Sequence, residues 1–280
     1  MRNRLRSLIT IGLSSVLVLM LTGPLRAETT TSAWTLGGIA CDLIPTSQAG
    51  TKAAAPPVGV GPLCSGVRPG TTVLSSGGQC SFNFMWKDSA GNRYMGTAGH
   101  CIVDEGEQRT WAYGSGPVAS NNQGRIGEFV YAILQDPKDF ALIRLDPAVP
   151  ASAQMCHFGG PTGVNSDRPA LTSPVVLNHF GNGIGVGTVL PARSALALGM
   201  PDPDHVYAEG AVVPGDSGSG IISSDGRAVG VIVTTGVHSS SIGTSGVDAG
   251  TMGVTRLAPQ EARAEQVLGV GMTLQTAPLL

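Results

Sequence analysis

Forty glycines and 19 prolines are scattered through a chain of 280 residues, so about one position in five interrupts a regular element. Glycine weakens helices and proline breaks helices and central strands, which confines regular structure to short runs. The glycines have no three-residue period, so the chain is not collagen-like. Hydrophobic residues make up 42% of it, too many for a disordered polymer. No long Glu/Lys/Ala-rich periodic stretch exists, which argues against a coiled coil or a helical bundle. Short apolar runs divided by Gly, Pro, Ser and Asn instead predict an all-β fold with many turns. The length suits one or two domains.

Residues 1–27 read as a secretory signal. Arg2, Arg4 and Arg6 form a positive n-region, and Leu8 to Leu21 is an apolar h-region of 14 residues. Gly23, Pro24 and Ala27 supply a break and a small residue for cleavage after Ala27. A membrane-spanning helix needs roughly 20 apolar residues, so a retained anchor is the weaker reading, and no later segment is apolar enough to span. Without residues 1–27 the chain keeps 13 basic and 19 acidic residues, a formal net charge of −6. Only Lys52, Lys87 and Lys138 are lysines, and no basic stripe exists, so nucleic acid is not an expected partner. No pair among Cys41, Cys64, Cys80, Cys101 and Cys156 has C-x-x-C spacing, which argues against a zinc ribbon or a thioredoxin-type site. Export makes disulfides the default, and the odd count leaves at least one cysteine without a partner in the chain.

Residues 28–63, rich in Ala, Pro, Thr and Gly, read as an N-terminal arm or short propeptide. Cys80 to Trp86 alternates as a strand. Residues 87–92 form a turn, and Arg93 to Thr97 is the returning strand. Asp139 to Leu145 is a short, nearly continuous apolar strand. Pro174 to Phe180, Gly185 to Leu190 and Ala228 to Thr234 are further strands. Gly181, Gly183, Gly185 and Gly187 suit close backbone approach or bulging. One helix is expected near the end, with Pro259 as its first residue and Gly269 as its stop.

Three segments carry chemistry together: Thr97-Ala98-Gly99-His100-Cys101, the strand that opens on Asp139, and Pro214-Gly215-Asp216-Ser217-Gly218-Ser219-Gly220. A serine hydroxyl is a weak nucleophile and needs a base. The oxyanion it creates needs preorganised N–H donors. A glycine two residues before Ser217 permits a turn in which the amides of Gly215 and Ser217 aim at one point. His100 lies beside a possible disulfide at a strand end, a setting that His157, His179, His205 and His238 lack. An acid at the start of an apolar strand, as Asp139 is, becomes partly buried and needs partners, and an imidazole N–H is a suitable one.

TAGHC, DFALIRL and PGDSGSG stand in the order His, Asp, Ser. In these motifs the chain resembles the chymotrypsin-like (trypsin-fold) serine proteases, and its GTAGHC form is more similar to bacterial secreted members. The likeness spans about residues 64–270. It implies two antiparallel six-stranded β-barrels packed around an active-site cleft, with a C-terminal helix. The protease domain would cover 64–280, with the first barrel at about 64–160 and the second at about 161–280. The resemblance makes His100 the general base, Asp139 its orienting acid and Ser217 the nucleophile, with the amides of Gly215 and Ser217 as the oxyanion hole. It pairs Cys80 with Cys101 and sets Cys156 where some members tether an N-terminal segment, through Cys64 or else Cys41. The family's paired cysteines around the nucleophile loop are absent, since no Cys lies beyond 156.

The family's usual Ile-Val-Gly-Gly-like activation start is not visible near residues 64–72. Asp216 is therefore expected to find an internal Arg, Arg168 or Arg193, or backbone, with no activation cut required. Ala211 stands where trypsin-like members carry an acid, and Val212 and Val213 follow it. Thr234, Thr235 and Gly236 resemble the pocket wall that pairs with substrate. The expected function is a secreted serine endopeptidase, extracellular or periplasmic, preferring a small or apolar residue before the scissile bond, unless Glu209 reaches the pocket. It would act on peptides as a monomer without cofactor or metal, and without stable membrane association after signal cleavage. The alternative is a catalytically inactive, protease-like binding protein. An α/β-hydrolase esterase fits poorly, because G-x-S-x-G would need Gly where Ser219 stands and the His to follow the Ser.

Overall fold

The computed structural model describes residues 66–167, 174–183, 190–239 and 245–280. The expected signal (1–27) and arm (28–63) lie outside the described residues, as do Cys41, Cys64, Arg168 and the glycines at 185 and 187. In chain order the strands are β1 (Thr72–Ser75), β2 (Gly78–Ser81), β3 (Met85–Asp88), β4 (Arg93–Thr97), β5 (Gln108–Thr110), β6 (Val118–Asn121), β7 (Gly124–Gln135) and β8 (Lys138–Leu145). There follow β9 (Gly163–Val164), β10 (Val175–Phe180), β11 (Ala192–Asp202), β12 (His205–Gly210), β13 (Gly220–Ser223), β14 (Arg227–Ser239) and β15 (Ser245–Arg256). Helix α1 (Leu257–Leu268) and β16 (Met272–Leu274) come last.

The first sheet runs β16-β3-β4-β8-β7-β6-β1-β2, with β5 on β7. It curls, and residues 82–84 join its ends. Phe82 N donates to Thr71 O at 2.8 Å, continuing the β1–β2 ladder, while Asn83 N donates to Gly96 O at 2.9 Å, beginning the β3–β4 ladder. The single strand expected from Cys80 to Trp86 is thus two strands with a bend between them. Each half needs a different neighbour to satisfy its backbone, and the bend lets one stretch of chain serve both. The second sheet runs β13-β10-β11-β12-β15-β14-β9, and the β13–β14 pairing closes its first six strands into a barrel. This is the all-β architecture expected, with a C-terminal helix; the second sheet holds the six-stranded barrel expected, while the first, curled sheet has nine strands rather than six.

The core explains why these runs became strands. Phe129, Tyr131 and Ile133 on β7 and Phe140, Leu142 and Ile143 on β8 are fully buried. Burying one such side chain contributes about 2–3 kcal/mol. Trp86 meets Phe84 and Phe140 edge to face, with ring centroids 6.5 and 5.8 Å apart. The second core is built of smaller residues, among them Ala195, Ala197, Ala208, Val206 and Val254.

Helix α1 ends as expected, with Gly269 at φ +67°. It begins earlier than expected, at Leu257, so Pro259 is its third residue. The first four helical N–H groups have no intrahelical acceptor, so a proline fits there as well as at the first position. The C-terminal strand leaves the second barrel: β16 pairs antiparallel with β3, Leu274 opposite Trp86. Glu261 of α1 accepts from Trp86 Nε1 at 2.8 Å, fastening the helix to the first barrel.

Candidate active site

β4 ends at Thr97, and Gly99–Cys101 makes one 3-10 turn. Any side chain at Gly99 would strike the carbonyl of Ile133 on β7, so only glycine lets this turn press against the sheet. That approach aims the amides of Gly99 and His100 at Oδ1 of Asp139, the latter at 3.0 Å. Oδ2 of the same carboxylate lies 2.6 Å from His100 Nδ1. An ionised carboxylate only accepts, so Nδ1 carries the proton and the neutral ring keeps Nε2 as its acceptor. The Asp139 side chain is 9% exposed and that of His100 30% exposed. Burial pushes the His100 pKa down, but the hydrogen bond and charge of Asp139 raise it by more, so the net direction is up. The Cys80–Cys101 disulfide ties β2 to this turn, Cα to Cα 6.4 Å. Cys80, His100 and Cys101 also cluster as metal ligands would, but the disulfide occupies both sulfurs.

Ser217 sits in the loop between β12 and β13. The loop needs a left-handed residue, and Gly215 supplies it at φ +97°. Gly218 packs so closely on Thr97 and Ser81 that a side chain there would meet Thr97 Oγ1. The serine loop therefore rests against the strand end that leads into His100. Ser217 O accepts from Ser81 N at 2.7 Å, and Gly218 N donates to Ile232 O of β14 at 2.7 Å. No acceptor for the amides of Gly215 and Ser217 stands among the described residues. No hydrogen bond joins Ser217 Oγ to His100 among the described residues.

Asp216 faces away from solvent, fully buried. Arg193 grips it with both terminal nitrogens, Nη1 to Oδ2 and Nη2 to Oδ1, each at 2.7 Å. The amides of Gly183 and Val213 complete the carboxylate, each at 2.8 Å. Of the partners expected for Asp216, Arg193 and backbone are both present, and Arg168 lies outside the described residues. Gly181 and Gly183 come so near Asp216 that a side chain at either would meet its carboxylate, which accounts for two of the alternating glycines. His179, opposite Arg193 on β10, is fully buried, and burial first, then the Arg193 charge, lower its pKa to about 4.

Ala211 is exposed at the start of the serine loop, and its carbonyl accepts from Arg193 Nη1 at 3.3 Å. Val212 packs on the second core. Thr234, Thr235 and Gly236 lie on β14, two to four residues beyond the Ile232 that holds Gly218, with Thr234 opposite Gly253 and Thr235 opposite Met252. Cys156 is disulfide-bonded, and its partner lies outside the described residues. Sequence reasoning missed Ser81 and Gln79 of the first barrel and Asn182, which follows β10 of the second; Ser81 bonds the serine loop directly and Gln79 bonds Asn182. Gln79 Nε2 donates to Asn182 O at 2.9 Å, and Asn182 Nδ2 to Gly70 O at 3.0 Å. The available signal was the disulfide: a residue next to Cys80 must lie near the turn that holds Cys101 and His100.

No protein-family model matches the chain, and no curated protein matches it. Many solved structures do, and bacterial serine proteases are among them. The Cellulomonas bogoriensis chymotrypsin is 20% identical, with 75% of this chain and 99% of that one covered and a TM-score of 0.48. The Nocardiopsis protease is 18% identical over 75% and 98% of the two chains, with a TM-score of 0.46. The Thermobifida fusca protease A is 15% identical over 75% and 99%, also with a TM-score of 0.46.

Proposed function

We propose that this chain is an exported serine endopeptidase that works through His100, Asp139 and Ser217. The observation that carries the reading is the Asp139–His100 pair. A buried carboxylate fixes the imidazole through Nδ1 and through two backbone amides, and so leaves Nε2 to take a proton.

In the reaction Ser217 Oγ attacks the scissile carbonyl carbon while its proton passes to His100 Nε2. The carbonyl oxygen becomes an oxyanion and accepts from the Gly215 and Ser217 amides. Asp139 stabilises the imidazolium, which returns the proton to the leaving amine as the C–N bond breaks. An acyl-enzyme ester remains. Water then attacks it, giving its proton to His100, and the acid leaves as Ser217 regains its hydrogen. Ala211, Val212 and the β14 segment 234–236 would line a pocket for a small or uncharged residue. The enzyme would be a secreted monomer. Its disulfide suits an oxidising compartment, and no helix among the described residues is long and apolar enough to cross a membrane.

The missing Ser217–His100 hydrogen bond is the one observation favouring an inactive, protease-like binder. Catalytic hydrogen bonds are often long in free enzymes and tighten with substrate, so the endopeptidase reading stands ahead of it. Arg193 gives Asp216 a charge partner within the chain, and activity is expected without an activation cut. Treatment with a sulfonyl fluoride, adduct mapping and N-terminal sequencing test both parts. Modification at Ser217, lost in His100→Ala, is expected. Peptide cleavage that survives Ser217→Ala would sink the triad. Labelling only after a cut that exposes a new apolar N-terminus would sink activation-free activity.

A further inference from the structure

We propose that Ser81 is a positioning residue for the oxyanion hole, holding the Gly215–Asp216 peptide group that joins the Gly215 amide to that of Ser217, so that the two donors keep a common aim. The assignment rests on the serine-protease reading above. Ser81 is the last residue of β2 and is fully buried. Four hydrogen bonds meet on it. Its amide donates to Ser217 O at 2.7 Å, and its hydroxyl donates to Gly215 O at 2.8 Å. Asn182 N donates to the Ser81 hydroxyl at 3.3 Å, and Thr97 Oγ1 donates to Ser81 O at 2.9 Å.

One residue of the first barrel thus grips the tripeptide Gly215-Asp216-Ser217 at both ends while also touching the segment that leads to His100. The two grips differ. The bond to Ser217 O uses backbone and survives any substitution except proline. The bond to Gly215 O uses the hydroxyl alone. Gly215 is also where restraint is most needed, because a glycine at φ +97° can turn its peptide groups with little steric penalty. The single hydroxyl proton is committed to Gly215 O, and one lone pair receives Asn182 N, so the hydroxyl acts as donor and acceptor at once.

Removing the hydroxyl should therefore loosen one oxyanion donor and leave the nucleophile's carbonyl, the disulfide and the His100–Asp139 pair in place. The test compares Ser81→Ala and Ser81→Thr with the intact protein, using a peptide anilide substrate and a peptidyl trifluoromethyl ketone that forms an anionic adduct on Ser217. For Ser81→Ala, kcat should fall roughly 10- to 100-fold with KM within about twofold. Ketone affinity should fall by the same factor, affinity for the cleaved product peptide should hold, and the acid limb of kcat/KM should not move. Ser81→Thr should recover to within about threefold of the intact enzyme, since it keeps the hydroxyl. Unchanged kcat, a rise in KM alone, or equal losses for ketone and product would overturn the assignment. If the alanine variant does not fold, Ser81→Val is read against Ser81→Thr, which has nearly its shape. Val below Thr by the same factor upholds the assignment, and Val equal to Thr overturns it. Intact protein that sulfonyl fluoride does not label at Ser217 overturns the protease reading and this one with it. Labelled intact protein with an unchanged Ser81→Ala overturns this one alone.

Discussion

Asp139 in the first barrel and Asp216 in the second are held by the same kind of device. Each buried carboxylate takes two backbone amides and one cationic or basic side chain. The partners set them apart. Asp139 holds an imidazole, which gains and loses a proton near neutral pH and keeps part of its ring in solvent. Asp216 holds a guanidinium, which keeps its charge at any working pH and is sealed in with it. One arrangement can cycle and the other can only brace. A buried carboxylate with a full set of hydrogen bonds therefore does not mark a reacting group; the titration range and the access of its partner do.

Substitutions on the two sides should separate these roles. The largest effect is expected from Asp139→Asn, which keeps the shape but removes the charge that orients and supports His100. The kcat should fall by about 10⁴-fold while the unfolding midpoint in urea barely moves. The mechanism proposed needs neutral His100, so activity should rise with pH through a midpoint above the ordinary imidazole value of about 6.5. In Asp139→Asn that midpoint should drop, because burial still pushes it down and nothing raises it. A stability loss that accounts for the lost rate would erase the distinction between the two carboxylates.

On the other side, Arg193→Met leaves Asp216 buried with no counter-charge. Unfolding in urea should show a loss of about 3–5 kcal/mol, with activity falling because the serine loop loses its brace. Arg193→Met combined with Asp216→Asn should recover part of that loss. If the single variant is as stable as the intact protein, Asp216 is not braced by charge.

The smallest effect concerns His179 behind the Arg193–Asp216 pair. Its folded pKa of about 4 lies below an unfolded value of about 6.5, so the unfolded chain binds the proton first as pH falls. Stability should fall as pH drops from about 6.5 towards about 4, by on the order of 3 kcal/mol in total. The difference in unfolding free energy between the intact protein and His179→Leu, followed across that range, measures it. A difference that does not change with pH would mean that His179 is paired in a way that tolerates its charge.

Much of this was readable from local pattern. The DFALIRL run is buried on both faces, so it needed only apolar residues, and those are visible in order. Gly269 ends α1 because a left-handed residue is needed there, and that demand also shows in sequence. The motifs singled out His100, Asp139 and Ser217 because the proposed chemistry requires particular residue types. Ser81 was not legible, since a hydroxyl's role depends on which carbonyl a distant loop brings to it. That Arg193 reaches Asp216 depended on strand register, which sets it opposite His179 and was not visible in the sequence. β16 was missed because three residues, Met-Thr-Leu, carry too little alternation to declare a strand. Its partner is on the other side of the molecule in sequence.

That late strand bears on timing. Synthesis delivers the N-terminal side of a chain first, so the Trp86–Asp88 edge stays bare until residues 272–274 have been made. The first barrel and the helix fastened to Trp86 are therefore completed last, by residues made after those of the serine loop. In the peptidase proposed above, residues 272–274 would complete the sheet that carries His100 and Asp139 after the Ser217 loop has been made.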